Sequence, residues 1–254
     1  MIKFNLVESN AMQIALQSID CFAILLCIAL ILLFLRRKGK KSYNKYQEYL
    51  KNKFDSDQIL NYKINAMHSK IAKQSKDVSK HPIVLENVLA DKIKLSLQKY
   101  YRNKVLKGDY ELGDDQAHRY GCHNEPISLI IQDALKPLIE KIVNKKLETT
   151  YTYLSSYLNG SSLPPHTDNL ECQYTVSFLV GRDKEWPIYW HKIKQDKKNG
   201  GRYYVIPDKE EYVKLNVNPG GIIIFEGTDH IHFRDSYNGK FYDVLLLHYK
   251  DKEV

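Results

Sequence analysis

From residue 148 onward the chain breaks into short apolar stretches, over 148–157, 172–180, 186–193, 202–206, 212–217, 222–225 and 241–249. Asn159-Gly160, Asn199-Gly200-Gly201, Pro219-Gly220-Gly221 and Asn238-Gly239 lie between them, and residues of this kind supply the positive-φ or tight-turn backbone that a reversal of strand direction needs. A run of short strands has to bury its apolar faces against a second sheet or by closing on itself, so the pattern predicts a sandwich or barrel, here a jelly roll with helices packed on one sheet. Two helices precede the strands. Val84, Val88, Leu89, Ile93, Leu97 and Tyr101 recur at roughly helical intervals, predicting a helix over 84–101. Asn124-Glu125-Pro126 reads as the start of a second, with Ile127, Ile130, Leu135, Leu138, Ile139 and Ile142 as its apolar face, Pro137 as a point of kinking and Lys141, Lys145 and Lys146 at its negative end. The class is mainly β with flanking helices, an α+β arrangement.

The chemistry-bearing residues fall at the turns of this pattern. In His166-Thr167-Asp168 the first and third residues share a side of an extended backbone, so an imidazole and a carboxylate can face one metal ion. A third ligand has to come from elsewhere, and Gly220 to Arg234 reads as strand, turn, strand with His230 and His232 in its second half. Two histidines and one carboxylate on one face suit a ferrous ion whose remaining positions stay open to reactants. Spacing alone does not separate His230 from His232. The remaining histidines, His68, His81, His118, His123, His191 and His248, have no partner at ligand spacing and read as ordinary surface or core residues.

Charge is unevenly placed. The chain carries +8, yet 36–80 holds thirteen Lys/Arg against four Asp/Glu, or +9, so the rest of the chain is close to neutral. That basic segment follows an apolar run without charge over 21–35; counted from Ile14 the stretch is 22 residues, about 33 Å as a helix. A secretory leader would carry its positive charge ahead of the run, whereas Arg36, Arg37, Lys38, Lys40 and Lys41 stand behind it. The expected organisation is a short tail over 1–13, a transmembrane anchor over 14–35, a basic polar stalk over 36–80 and one folded domain over 81–254. The positive-inside rule makes it a single-pass protein with that domain on the cytoplasmic side. The stalk lysines suit anionic lipid head groups, or form a solvated spacer. The four cysteines show no CxxC spacing and no disulfide framework.

Tyr157-Leu158-Asn159-Gly160, then Pro164-Pro165-His166-Thr167-Asp168, then Trp186-Pro187-Ile188-Tyr189, then Pro219-Gly220 through His232-Phe233-Arg234 resembles, in this order, the prolyl-hydroxylase-like branch of the iron(II)/2-oxoglutarate dioxygenases. The resemblance covers about 82–249. It implies a double-stranded β-helix in which His166, Asp168 and His232 hold Fe(II); the family pattern Gly-x-x-x-x-His-aromatic-Arg falls on Gly227 through Arg234 and selects His232. It also implies 2-oxoglutarate and O2 as co-substrates. A basic residue at the start of the last core strand would hold the far carboxylate of 2-oxoglutarate, and Lys240, eight residues after His232, is the nearest match. Arg234 is the other candidate, although its place two residues after His232 departs from the pattern and suits a structural ion pair. Tyr157, nine residues before His166, corresponds to a tyrosine that contacts the co-substrate, while the strand after the His-x-Asp loop presents Ser177 where some relatives carry a tyrosine. Loops around Lys184 and 192–202 would shape substrate access. The implied reaction is hydroxylation of an unidentified substrate, a protein side chain or small molecule, with 2-oxoglutarate converted to succinate. Two other functions share parts of this pattern: an AlkB-type nucleic-acid demethylase, which would need two arginines after the distal histidine where only Arg234 stands, and a metal-free jelly-roll binding module tethered to a membrane. A membrane stalk argues against nucleic acid as a partner.

Overall fold

The computed structural model describes residues 78, 80–89, 91–114, 116–195, 200–202 and 211–252. The expected anchor, nearly all of the stalk, and the expected strand at 202–206 beyond Arg202 lie outside these residues. Among the described residues no helix is long and apolar enough to cross a membrane.

The order is β1 (Ile83–Leu85), α1 (Asp91–Leu106), β2 (Glu111–Leu112), β3 (Arg119–His123), α2 (Pro126–Val143), β4 (Leu147–Leu158), β5 (Leu163–His166), a 3-10 turn (Leu170–Cys172), β6 (Tyr174–Arg182), β7 (Ile188–Lys194), β8 (Tyr212–Leu215), β9 (Ile222–Glu226), β10 (His230–Arg234) and β11 (Phe241–Asp251). These form a seven-stranded sheet in the order β1-β9-β6-β11-β4-β3-β2 and a four-stranded sheet in the order β5-β10-β7-β8. Every strand pairing is antiparallel. The two sheets face each other over a buried cluster that takes Ile188, Trp190 and Leu215 from the smaller sheet and Leu179, Ile223, Phe225 and Val244 from the larger. This is the expected jelly-roll layering.

Alternation along the strands of the large sheet decides what faces the site. On β4, Thr152 turns to the helices, bonding Ser128 of α2 through its hydroxyl at 2.8 Å, while Tyr151, Tyr153 and Tyr157 line the cavity between the sheets. On β11, Tyr249 donates to the Gln132 carbonyl of α2 at 2.8 Å, and Val244, Leu246 and His248 face the cavity.

α2 begins where the sequence indicates. Pro126 occupies its first turn, and the Glu125 carboxylate caps it by accepting from the Ile127 and Ser128 amides. The same carboxylate accepts from the hydroxyls of Tyr100 and Tyr101 on α1, at 2.6 and 2.9 Å, which ties the two helices together. α2 ends at Asn144 in the left-handed conformation (φ 55°) and contains Pro137. α1 starts later than its periodicity suggests, at Asp91, because Ile83, Val84 and Leu85 pair with Ile224, Ile223 and Ile222 as an added edge strand. Cys122 and Cys172 are free thiols.

Candidate metal centre and its cavity

His166 ends β5, and His232 of β10 lies directly opposite it in the antiparallel pairing. Asp168 follows in the loop, whose course is fixed by its neighbours. Thr167 N–H donates to Gly201 O at 2.9 Å, Gly201 N–H donates to the Thr167 hydroxyl at 3.1 Å, and Asp168 N–H donates to Gly227 O at 2.8 Å. A Cβ at Gly227 would overlap the Asp168 carboxylate, so only glycine permits this approach. The result brings His166 Nε2 and His232 Nε2 each to 3.5 Å from Asp168 Oδ1.

The tautomers follow from the other ring nitrogens. His166 Nδ1 lies 2.8 Å from Pro164 O and His232 Nδ1 lies 3.0 Å from His230 O. A carbonyl only accepts, so each Nδ1 carries the proton and, in the neutral rings, each Nε2 presents a lone pair. Two imidazole lone pairs and a carboxylate oxygen thus converge on one point, an arrangement that is repulsive until a cation is placed among them. Burial, with His232 alongside, lowers the pKa of His166 and favours this neutral form. Burial alone would raise that of Asp168, but the electrostatic influence of His232 and His166 outweighs it and holds the carboxyl well below the ordinary carboxylate range. Among the described residues, His166, Asp168 and His232 are the one group of three or more potential ligands close enough to share a metal. The donor set fits a divalent transition metal with open positions.

The other oxygen of Asp168 is held from the large sheet. The Thr175 hydroxyl on β6 donates to Oδ2 at 2.7 Å. His248 Nδ1, across on β11, lies 3.2 Å from the same hydroxyl. Since the Thr175 proton is committed to Asp168, His248 is the donor here. Burial lowers the pKa of His248 to about 4, so the ring is neutral. His248 and His123, which have no partner at ligand spacing in the sequence, both line the cavity.

The three side chains open onto a cavity of about 310 Å³. Leu163, Ile188, Phe225 and Val244 give it an apolar wall, and Ser177 lies on it at the expected position. Two guanidiniums reach it, from Arg119 and Arg234. Arg234 is 4% exposed, donates to Trp186 O and lies over the rings of Trp186 and Tyr242, 4.9 and 4.7 Å from their centroids. No carboxylate pairs with it among the described residues, so the ion pair suggested by its position in sequence is absent. Lys240 stands differently. Its amide donates to Asp183 Oδ2 at 2.7 Å in the turn before β11, and the residue is exposed and outside the cavity lining. The side chain at the start of β11 that packs inward is Tyr242, under Arg234. Tyr157 is 1% exposed, lines the cavity and accepts from Arg119 at 2.6 Å.

His230 is set apart from the trio. Its ring stacks on Trp190, with centroids 4.1 Å apart, and its Nδ1 bonds His191 O at 2.8 Å. The register of β10 on β7 shifts between His230 and His232, so the simple alternation that would give them a common face does not hold. Arg119, Thr175 and His248 are among the residues around the cavity that spacing does not single out. Strand parity on β11 was the available signal for His248.

No family model matches the sequence, and no curated protein matches it. Solved structures do. A prolyl-4-hydroxylase of Pseudomonas putida superposes with a TM-score of 0.54 over 72% of this chain and 100% of that one, at 12% identity. EctD from S. alaskensis with 2-oxoglutarate and 5-hydroxyectoine gives 0.53 over 71% and 76%, at 14% identity. The epimerase SnoN in complex with Fe3+, alpha-ketoglutarate and nogalamycin RO gives 0.55 over 74% and 84%, at 8% identity. The chain shares the fold of these proteins.

Proposed function

We propose that this chain is an iron(II)- and 2-oxoglutarate-dependent dioxygenase that hydroxylates its substrate as 2-oxoglutarate is converted to succinate. The observation that carries the reading is the convergence of His166 Nε2, Asp168 Oδ1 and His232 Nε2, three acceptors without a donor among them, at the wall of a cavity. These three side chains would hold the metal. With 2-oxoglutarate bound, ferrous iron supplies the oxidising power to place one atom of O2 on a substrate C–H bond.

The chain's own residues do the rest. Arg234, a buried cation without a protein carboxylate, is suited to take the far carboxylate of 2-oxoglutarate through paired hydrogen bonds. Lys240 lacks that access. The Tyr157 hydroxyl is placed to donate to the same ligand. Leu163, Ile188, Phe225 and Val244 keep water from the reacting centre, which strengthens the electrostatic contacts inside. A protein side chain or a small molecule would be the substrate. The apolar stretch at 14–35 followed by the basic 36–80 supports a single-pass anchor with the catalytic domain on the cytoplasmic side.

Anaerobic addition of Fe(II) and then 2-oxoglutarate is expected to produce the visible metal-to-ligand charge-transfer band of the chelate, and admission of O2 is expected to release succinate. Absence of both from folded protein would leave a metal-free binding module.

A further inference from the structure

Arg119 belongs to a network that none of the metal ligands enters. It lies on β3 opposite Tyr157 of β4. At 5% exposure its guanidinium is held on three sides: Nε donates to Asp114 Oδ2 at 2.7 Å, one terminal nitrogen to Tyr157 at 2.6 Å and the other to Gln116 Oε1 at 3.1 Å. Asp114 is held in turn, by the amides of Gln116 and Ala117 at 2.9 and 2.7 Å and by the Tyr153 hydroxyl at 2.9 Å. Tyr153 reaches it by lying across Gly121, where a Cβ would overlap its ring. So many constraints on one arginine point to a required orientation.

The consequence falls on Tyr157. A guanidinium has donors only, so the phenol oxygen accepts from Arg119 and the single phenol proton must point elsewhere. Among the described residues no acceptor takes it, although the side chain is 1% exposed and lines the cavity. We infer that Arg119 is a positioning residue for the co-substrate: by occupying the oxygen of Tyr157 it leaves the hydroxyl as a one-way donor into the cavity, aimed at a carboxylate of 2-oxoglutarate. The positive charge behind the oxygen also makes that donor stronger, since hydrogen bonds in a chain polarise one another. This inference rests on the dioxygenase reading above.

The test is the anaerobic affinity of the full-length, Mn(II)-loaded protein for 2-oxoglutarate, with Mn(II) affinity measured separately. Arg119→Gln and Tyr157→Phe are each expected to weaken 2-oxoglutarate binding by about 10- to 100-fold while Mn(II) binding stays within about twofold. The double variant is expected to bind within about twofold of Tyr157→Phe alone, because Arg119 acts through the hydroxyl that is already gone. Arg119→Lys, which keeps a charged donor, is expected to lose less than Arg119→Gln. If Arg119→Gln does not fold, Arg119→Lys carries the same comparison with and without Tyr157→Phe. Wild-type affinity in both Arg119 variants, or losses that multiply in the double variant, would overturn the inference while leaving the dioxygenase reading standing. A wild-type protein that binds Mn(II) but never 2-oxoglutarate would overturn both.

Discussion

Thr175 donates its hydroxyl proton to Asp168 Oδ2 at 2.7 Å, which leaves Oδ1 as the oxygen shared with His166 and His232. The carboxylate is thereby set for one-oxygen ligation before any metal arrives. Outer partners of this kind commonly contribute as much to affinity as to geometry.

Replacing Thr175 by Val removes the hydroxyl at nearly constant volume. Metal affinity, measured by competition with a chelator, is expected to fall about 10- to 100-fold, with Thr175→Ser retaining most of it. Equal affinity in the Val and Ser variants would mean that the hydrogen bond does not orient the ligand.

Arg234 and Lys240 separate cleanly. Arg234→Met is expected to raise the dissociation constant for 2-oxoglutarate at least about 100-fold, since it removes a charge-assisted contact of about 3 kcal/mol. Lys240→Ala, at an exposed site outside the cavity, is expected to stay within about twofold. The opposite ranking would restore Lys240 as the anchor.

The two histidines of β10 are expected to fail in different ways. His232→Ala should abolish stoichiometric metal binding with the fold retained. His230→Ala removes a ring stacked on Trp190 and should lower unfolding stability by about 1–3 kcal/mol while metal still binds. Calorimetric metal titration beside chemical denaturation distinguishes them; loss of metal binding in His230→Ala alone would exchange their roles.

His248 makes the metal-free protein sensitive to acid. Its folded pKa is lowered from 6.5 to about 4 by burial, so the unfolded chain takes up the proton first as pH falls. The contribution is therefore complete above about pH 6.5, declines below it and is gone near pH 4, a span of about 3 kcal/mol. His166, lowered for the same first reason, acts in the same direction. Urea midpoints followed from pH 7 to 4 should fall more steeply for the wild type than for His248→Leu, and parallel profiles would show that His248 is not held neutral.

The strand pattern and the start of α2 were legible because each rests on local rules, alternation and a capping residue followed by proline; His166 and Asp168 were legible as a pair, although Asp168 is positioned by loop contacts to Gly227 and not by strand alternation. The choice between His230 and His232 was not, because a register shift on β7 breaks the alternation that spacing arguments assume. The surroundings of Arg234 are hidden for a related reason. Its sequence neighbourhood gives no hint that Trp186, in the loop before β7, and Tyr242 of β11 frame its guanidinium, with no carboxylate paired to it among the described residues. Arg119 lies in a five-residue strand without apolar alternation, and its role depends on Asp114, Tyr153 and Tyr157 meeting across separate elements. Thr175 and His248 meet only through the pairing of β6 with β11.

β5 is the outermost strand of the small sheet and pairs with β10 alone among the named strands. Its last residue is His166, which also bridges to Arg202, so a metal held by His166 and His232 would act as a rivet between an edge strand and β10. Chelation would then do more than silence chemistry: it would leave two lone pairs and an anion pressed together at that seam. The ion would thus help to hold this margin of the small sheet as well as supply the chemistry.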